Sequence, residues 1–249
     1  MASGNPTPLW DAHVHLPAYP DPSAPVGLAK AMGIRLMSAT VSPKEAAQNL
    51  AFRKRDPSTV KCFIGVHPSE AEAADPRLEE LSPLWESADG VGEVGLDPKY
   101  SEVSAKGAQM AVFRVQVEVA SRLNKPLQVH SRGAERACLD LIDGYPLRSV
   151  LMHWFEGEDL VDRVVSRRGR FVSFGPALLY SKKLQRIARL LPEDAVLTES
   201  DGPVAFGALG GAGGPGLIPS VAFKLAELWG RGFEEATGQL AINAESFLG

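Results

Sequence analysis

The chain has 249 residues, 45% of them hydrophobic, and a net charge of −4. That length suits one large domain spanning residues 1–249, with ample material for a core. The mild acidity excludes a dedicated nucleic-acid coat without excluding local phosphate contacts. Cys62 and Cys138 lack metal spacing and are expected as buried free thiols in a reducing, cytoplasmic setting. No basic segment followed by an apolar one opens MASGNPTPLWDAHVH, so no signal peptide is read. The longest uncharged stretch, residues 202–223, is broken by glycines and prolines and reads as a loop, not a membrane span.

In chain order, eight short apolar runs read as β-strands: residues 9–15, 35–41, 61–67, 91–96, 127–130, 149–153, 171–174 and 195–198. Helical periodicity fills most of the intervals. In KGAQMAVFRVQVEVASRLNK, Met110, Phe113, Val117, Ala120 and Leu123 share one face, and DLVDRVVSRRG ends at a glycine stop. Arg53, Lys54 and Arg55 close another helical stretch, where cations suit the negative end of the helix dipole. Alternating β and α with mostly apolar strands implies an α/β fold with a parallel sheet covered by helices. Eight such units imply a (β/α)8 TIM-like barrel, with an open doubly wound sheet as the rival. GVGEVG is no dinucleotide fingerprint, because it lies within a strand and its glutamate interrupts the pattern. The Pro-rich residues 17–25 and the Gly-rich residues 207–216 are expected as loops on the catalytic rim.

All five histidines close, or nearly close, one of these runs: His13, His15, His67, His130 and His153. Glu93 and Asp201 share that placement, at the end of the strands where barrels put catalytic groups. His13 and His15 are two apart, so strand alternation points both the same way, together with Asp11, while Trp10, Ala12 and Val14 face the other way. Glu93 stands in an uncharged strand, where an unpartnered buried carboxylate costs several kcal/mol. It needs a cation or a structural arginine, and its two oxygens could bridge two cations. His130, His153 and Asp201 complete a metal-ligand set, and Asp201 could orient or deprotonate a water. A hydrogen-bonded structural role for each histidine, and an Asx turn for Asp201, are the alternatives. His67 and Arg132 are suited to substrate oxygens, Arg132 to a phosphate. Lys99, Lys182 and Lys183 are weaker candidates.

These residues resemble the TatD family of metal-dependent hydrolases, within the amidohydrolase-like barrels. DAHVHL resembles its D-x-H-x-H-L, FIGVHP its G-x-H-P, and VGEVGLD its GE-x-GLD. Residues 109–132 follow its Q-x-x-x-F-x-x-Q…LN-x-P…HSR block, LMHWF its H-x-F, LTESDGP its LETDAP, and NAESFLG its closing N-x-x-x-F-G. The resemblance implies a TIM-like barrel with metal-dependent, often deoxyribonuclease, activity. By matched position, His13, His15, Glu93, His130, His153 and Asp201 would hold two divalent ions (Zn, Mn, Fe, Co, Ni or Mg). His67 and Arg132 would face the substrate, with Glu93 and Asp201 the catalytic acids. The chain departs from the pattern at Pro17, at Trp154 and Glu156 in HWFEG, and in AFGALGGAGGPG, which carries no positive charge. The expected substrate is DNA or a smaller phosphate ester, with no stable nucleic-acid partner. Hydrolysis of a C–N or carboxylic ester bond, and a non-catalytic metal-binding barrel, are the rival readings.

Overall fold

The computed structural model describes residues 7–100 and 105–249. Each of the eight apolar runs forms a strand: β1 Leu9–Val14, β2 Ile34–Ala39, β3 Val60–Ile64, β4 Gly90–Gly95, β5 Leu127–His130, β6 Val150–Met152, β7 Arg170–Phe174 and β8 Val196–Thr198. They pair in sequence order, every pair parallel. The seam between β8 and β1 is bridged by Thr198 Oγ1 donating to Trp10 O at 2.6 Å. Beyond it, Asp201 N–H donates to His13 O at 2.9 Å and His15 N–H to Gly202 O at 2.8 Å. The sheet thus curls into a nearly closed barrel.

Among the described residues, ten α-helices follow the strands: α1 Ser23–Met32, α2 Ala46–Arg55, α3 Ala71–Ala74, α4 Ser82–Ser87, α5 Ala105–Arg122, α6 Glu135–Ile142, α7 Val161–Val165, α8 Lys182–Leu190, α9 Ile218–Trp229 and α10 Phe233–Leu248. The apolar face expected of α5 packs inward through Phe113, Val117 and Ala120. Arg53, Lys54 and Arg55 form the last turn of α2. The barrel interior is filled by Trp10, Ala12, Met37, Phe63 and Phe171, against which α10 sets Phe247. Phe247 stacks on Phe63 at 5.8 Å and meets Phe171 edge-on at 5.8 Å.

Two loop expectations need correction. Residues 17–25 are not loop throughout, because α1 begins at Ser23 and takes Pro25 into its first turn. Proline is tolerated there, where its missing N–H has no intrahelical partner to lose. Within 202–223, α9 starts at Ile218, and residues 205–212 carry a small antiparallel pair, β9 Ala205–Phe206 with β10 Gly211–Ala212. Among the described residues, no helix is long and apolar enough to cross a membrane. The signal-peptide reading falls in part on residues 1–6, outside the described residues.

Candidate metal centre

His13 lies in β1 and His15 one residue past it; Glu93 is in β4, His130 ends β5, His153 follows β6, and Asp201 lies three residues past β8. All converge on the mouth of the barrel at the C-terminal strand ends. The register of β1 against β2 slips between Asp11 and Val14, and that of β4 against β5 between Val91 and Val94. Each slip places one extra residue in the ligand-bearing strand, a device that re-aims side chains. Strict alternation along β1 is therefore broken. Trp10 and Ala12 pack with Phe247, whereas Val14 packs with Val26 and Ala29 of α1. Asp11 does not join the histidines. Its carboxylate accepts from Ser200 N–H at 2.8 Å and Ser200 Oγ at 2.6 Å, and burial pushes the carboxyl up to about 7. Gly65 keeps room for the β4 backbone at Glu93, since a Cβ there would come within 2.6 Å of Glu93 O.

Glu93 divides the cluster. Its Oε2 lies 3.5 Å from His13 Nε2 and 3.3 Å from His15 Nε2. Its Oε1 lies 2.8 Å from His130 Nδ1 and 3.0 Å from His153 Nε2. Asp201 Oδ1 is 3.4 Å from His15 Nε2 and 3.8 Å from His13 Nε2. Ser200 Oγ, not Asp201, accepts from Gly202 N–H at 3.2 Å, and the Asp201 carboxylate faces the histidines.

The outward nitrogens fix the tautomers. Gln128 Nε2 donates to Ala12 O at 2.8 Å, so its Oε1 must face His13 and accept from Nδ1–H at 3.0 Å. His15 Nδ1–H donates to Ala39 O at 3.2 Å and His153 Nδ1–H to Glu199 Oε2 at 3.3 Å. His130 is turned the other way, with Nε2–H donating to Asp97 Oδ2 at 2.8 Å. In the neutral rings, lone pairs therefore face one another across 3.2 Å between His13 and His15, and 3.3 Å between His130 and His153. Facing lone pairs repel unless a cation or a proton lies between them. Outward carboxylate, amide and carbonyl partners are the usual supports of metal-binding imidazoles, so the donor set fits divalent cations.

His67 stands apart. Its Nδ1 accepts from Ser69 N–H at 3.1 Å, and burial pulls its pKa down to about 4. The neutral ring then carries its proton on Nε2, which lies 3.9 Å from Glu93 Oε1. It faces the centre as a donor, not as a lone pair. Arg132 is gripped by Asp97 through Nε at 2.8 Å and Nη2 at 2.7 Å, and lies over the Tyr100 ring. Both residues line a cavity of about 570 Å³, together with Lys99. Lys183 pairs instead with Glu156 at 3.1 Å.

Sequence reasoning missed the supports. Asp97 holds both His130 and Arg132, Glu199 holds His153, and Gln128 holds His13. Gln109 and Gln116 of α5 each clamp a backbone, Gln109 that of Asp97 and Gln116 that of Val66. A signal was present. Asp97 and Glu199 are acids at the ends of apolar runs, and the two glutamines interrupt the buried face of α5.

Protons occupy the site when it is metal-free. Burial lowers the His15 imidazole, but the facing Asp201 and Glu93 carboxylates outweigh it and hold the pKa at about 9. His153 is likewise raised against burial, by Glu199 and Glu93. Burial and the neighbouring His153 keep His13 lowered. A cation taking His15 Nε2 has to displace a proton. Metal uptake at pH 7 is therefore expected to release protons, with affinity rising toward pH 9 and falling as pH drops. Calorimetry in two buffers of different ionisation enthalpy measures this, and identical heats would contradict it.

Imidazoles and carboxylates facing one another at the catalytic end of a (β/α)8 barrel define the class, a metal-dependent barrel hydrolase. A family model described as TatD related DNase matches residues 10–249. The chain belongs to that family. Human deoxyribonuclease TATDN3 is 29% identical over 214 residues, covering 78% of this chain and 78% of that one. The uncharacterized metal-dependent hydrolase YabD of Bacillus subtilis is 27% identical over 250 residues, covering 95% and 97%. The crystal structure of YJJV, a TatD homolog from Escherichia coli, matches with a TM-score of 0.85 over 96% of this chain and 97% of that one. At 24% identity, that likeness speaks for the fold.

Proposed function

We propose that this protein hydrolyses phosphodiester bonds, in DNA or in a smaller phosphate ester. Two divalent cations would be held by His13, His15, Glu93, His130, His153 and Asp201. The division of Glu93, one oxygen toward each histidine pair, carries the reading. Bound there, the cations would supply Lewis-acid charge that neutralises developing oxyanion charge. The mixed imidazole and carboxylate donors suit Zn, Mn, Fe, Co or Ni better than Mg.

The chain's own groups divide the remaining work. Asp201 takes the proton of the attacking water. Burial would raise its carboxyl, but the His15 contact holds it low, so it is ionised at neutral pH. His67 donates Nε2–H to a substrate oxygen. Arg132, pre-oriented by Asp97, grips a phosphate oxygen. Residues 1–249 act as one catalytic unit. The buried free thiols Cys62 and Cys138 support a reducing, cytoplasmic setting.

DNA as substrate is supported by relatives named deoxyribonucleases, such as the human TATDN3 protein. The rim weakens it, since residues 202–223 carry no charged side chain and Pro203 and Val204 line the cavity. That same rim favours the second reading, hydrolysis of a carboxylic ester or amide. The test is a panel of aryl phosphodiester, aryl ester, aryl amide and single-stranded DNA with several metals. Phosphodiester turnover is expected to exceed the other chemistries. DNA binding should be weak, with a shallow salt dependence; each neutralised phosphate on a single strand adds a slope of about −0.7. Dominant ester or amide turnover would overturn the phosphodiester reading, and steeply salt-dependent DNA binding would place a basic surface elsewhere.

A further inference from the structure

The geometry points to a substrate bearing one phosphate and one flat aromatic group, a terminal nucleotide in the simplest case, with Trp154 as the residue that selects it. This rests on the phosphoester reading above and narrows it to a substrate class.

Trp154 directly follows His153 and lines the cavity. Its indole stacks on Phe206, with centroids 5.3 Å apart and planes within 18°. Phe206 is buried and belongs to the β9–β10 pair, so the exposed part of the indole is backed by a fixed ring. Glu199 ties this platform to the centre. Its Oε1 accepts from Trp154 N–H at 3.1 Å, while Oε2 accepts from His153 Nδ1 and from Ser173 Oγ at 2.6 Å. Trp154 has φ of 42°, a conformation bulky residues rarely adopt, and the Glu199 contact holds it there. Aromatic platform and metal-facing imidazole are thus set by one carboxylate.

The two walls of the mouth differ in character. The wall that follows β4 and β5 is polar, with Lys99, Arg132 and Glu135. On the wall that follows β6 and β8 stand Trp154, Glu156, Pro203 and Val204. A chain of several phosphates crossing the mouth would meet an apolar surface on that side, with Glu156 already paired to Lys183. One phosphate near Arg132, with a ring laid on Trp154, suits both walls. A cavity of about 570 Å³ is the size that encloses one small ligand. Base–aromatic stacking accepts any base, because every base has a π-face, and losing it costs roughly five- to hundredfold in affinity.

Binding by the Mn-loaded protein tests this without relying on turnover. Deoxyadenosine monophosphate is compared by calorimetry with deoxyribose 5-phosphate, which carries the same phosphate and no base. The nucleotide should bind at least about fivefold more tightly. Trp154→Ala should erase the difference by weakening only the nucleotide, and Trp154→Phe should keep most of it. Equal affinity of the two ligands in the parent protein, which needs no variant to fold, overturns the platform and leaves the phosphoester reading standing. So does a nucleotide preference that survives Trp154→Ala. Failure of both ligands to bind overturns the phosphoester reading as well.

Discussion

Asp201→Asn is expected to lower hydrolysis at least a hundredfold and leave the fold intact. The two halves of that expectation have separate causes. The turn is held by backbone bonds that the substitution does not touch, from Asp201 N–H to His13 O and from Val204 N–H to Asp201 O. Ser200 Oγ accepts from Gly202 N–H, so the Asp201 side chain is not needed there. Residue 201 has φ of 48°, a left-handed conformation that asparagine adopts as readily as aspartate. The charge is what is lost. An amide cannot take a proton from water, and general-base assistance is typically worth about 10²–10⁴-fold. Weaker metal binding at His15 would add to that. Turnover and melting temperature, both of metal-loaded protein, give the answer. Activity within a factor of a few of the parent would make Asp201 a turn residue.

Glu93→Gln should strike the metal content directly. The parent carboxylate offers one acceptor oxygen to each histidine pair, and the amide offers an oxygen to one side and a donor NH₂ to the other. Whichever way it settles, one pair faces N–H where it faced charge. Glu93 is held well below the ordinary carboxylate range, against burial, by His67, His153 and His13, so a full negative charge is being removed. The expected result is a fall from two ions per chain to one or none by elemental analysis, with turnover falling alongside. Full occupancy by two ions in this variant would refute the bridging role. The two variants also discriminate between roles, since Asp201→Asn should keep more metal than Glu93→Gln.

Sequence alone determined the strands and the positions of the ligand candidates along them. Strand identity follows from local apolar patterning, and each of the eight runs became a strand within a few residues of its expected bounds. His13, His15, Glu93, His130 and His153 were legible because a polar group at the end of an apolar run is a local anomaly. The face on which each side chain emerges was not local. One-residue slips in β1 and β4 turned Asp11 away to Ser200 and set Glu93 between the histidine pairs. Strict alternation, the only rule a sequence offers, cannot anticipate a slip that arises from pairing with the next strand. Nor could it reveal the supports, because Gln128 meets His13 across 115 positions and Glu199 meets His153 across 46. Such partners are chosen by burial, since a polar group shut from water must find whatever donor or acceptor the barrel brings beside it. The stack of Trp154 on Phe206, and with it the character of the substrate wall, likewise exists only once the mouth has closed.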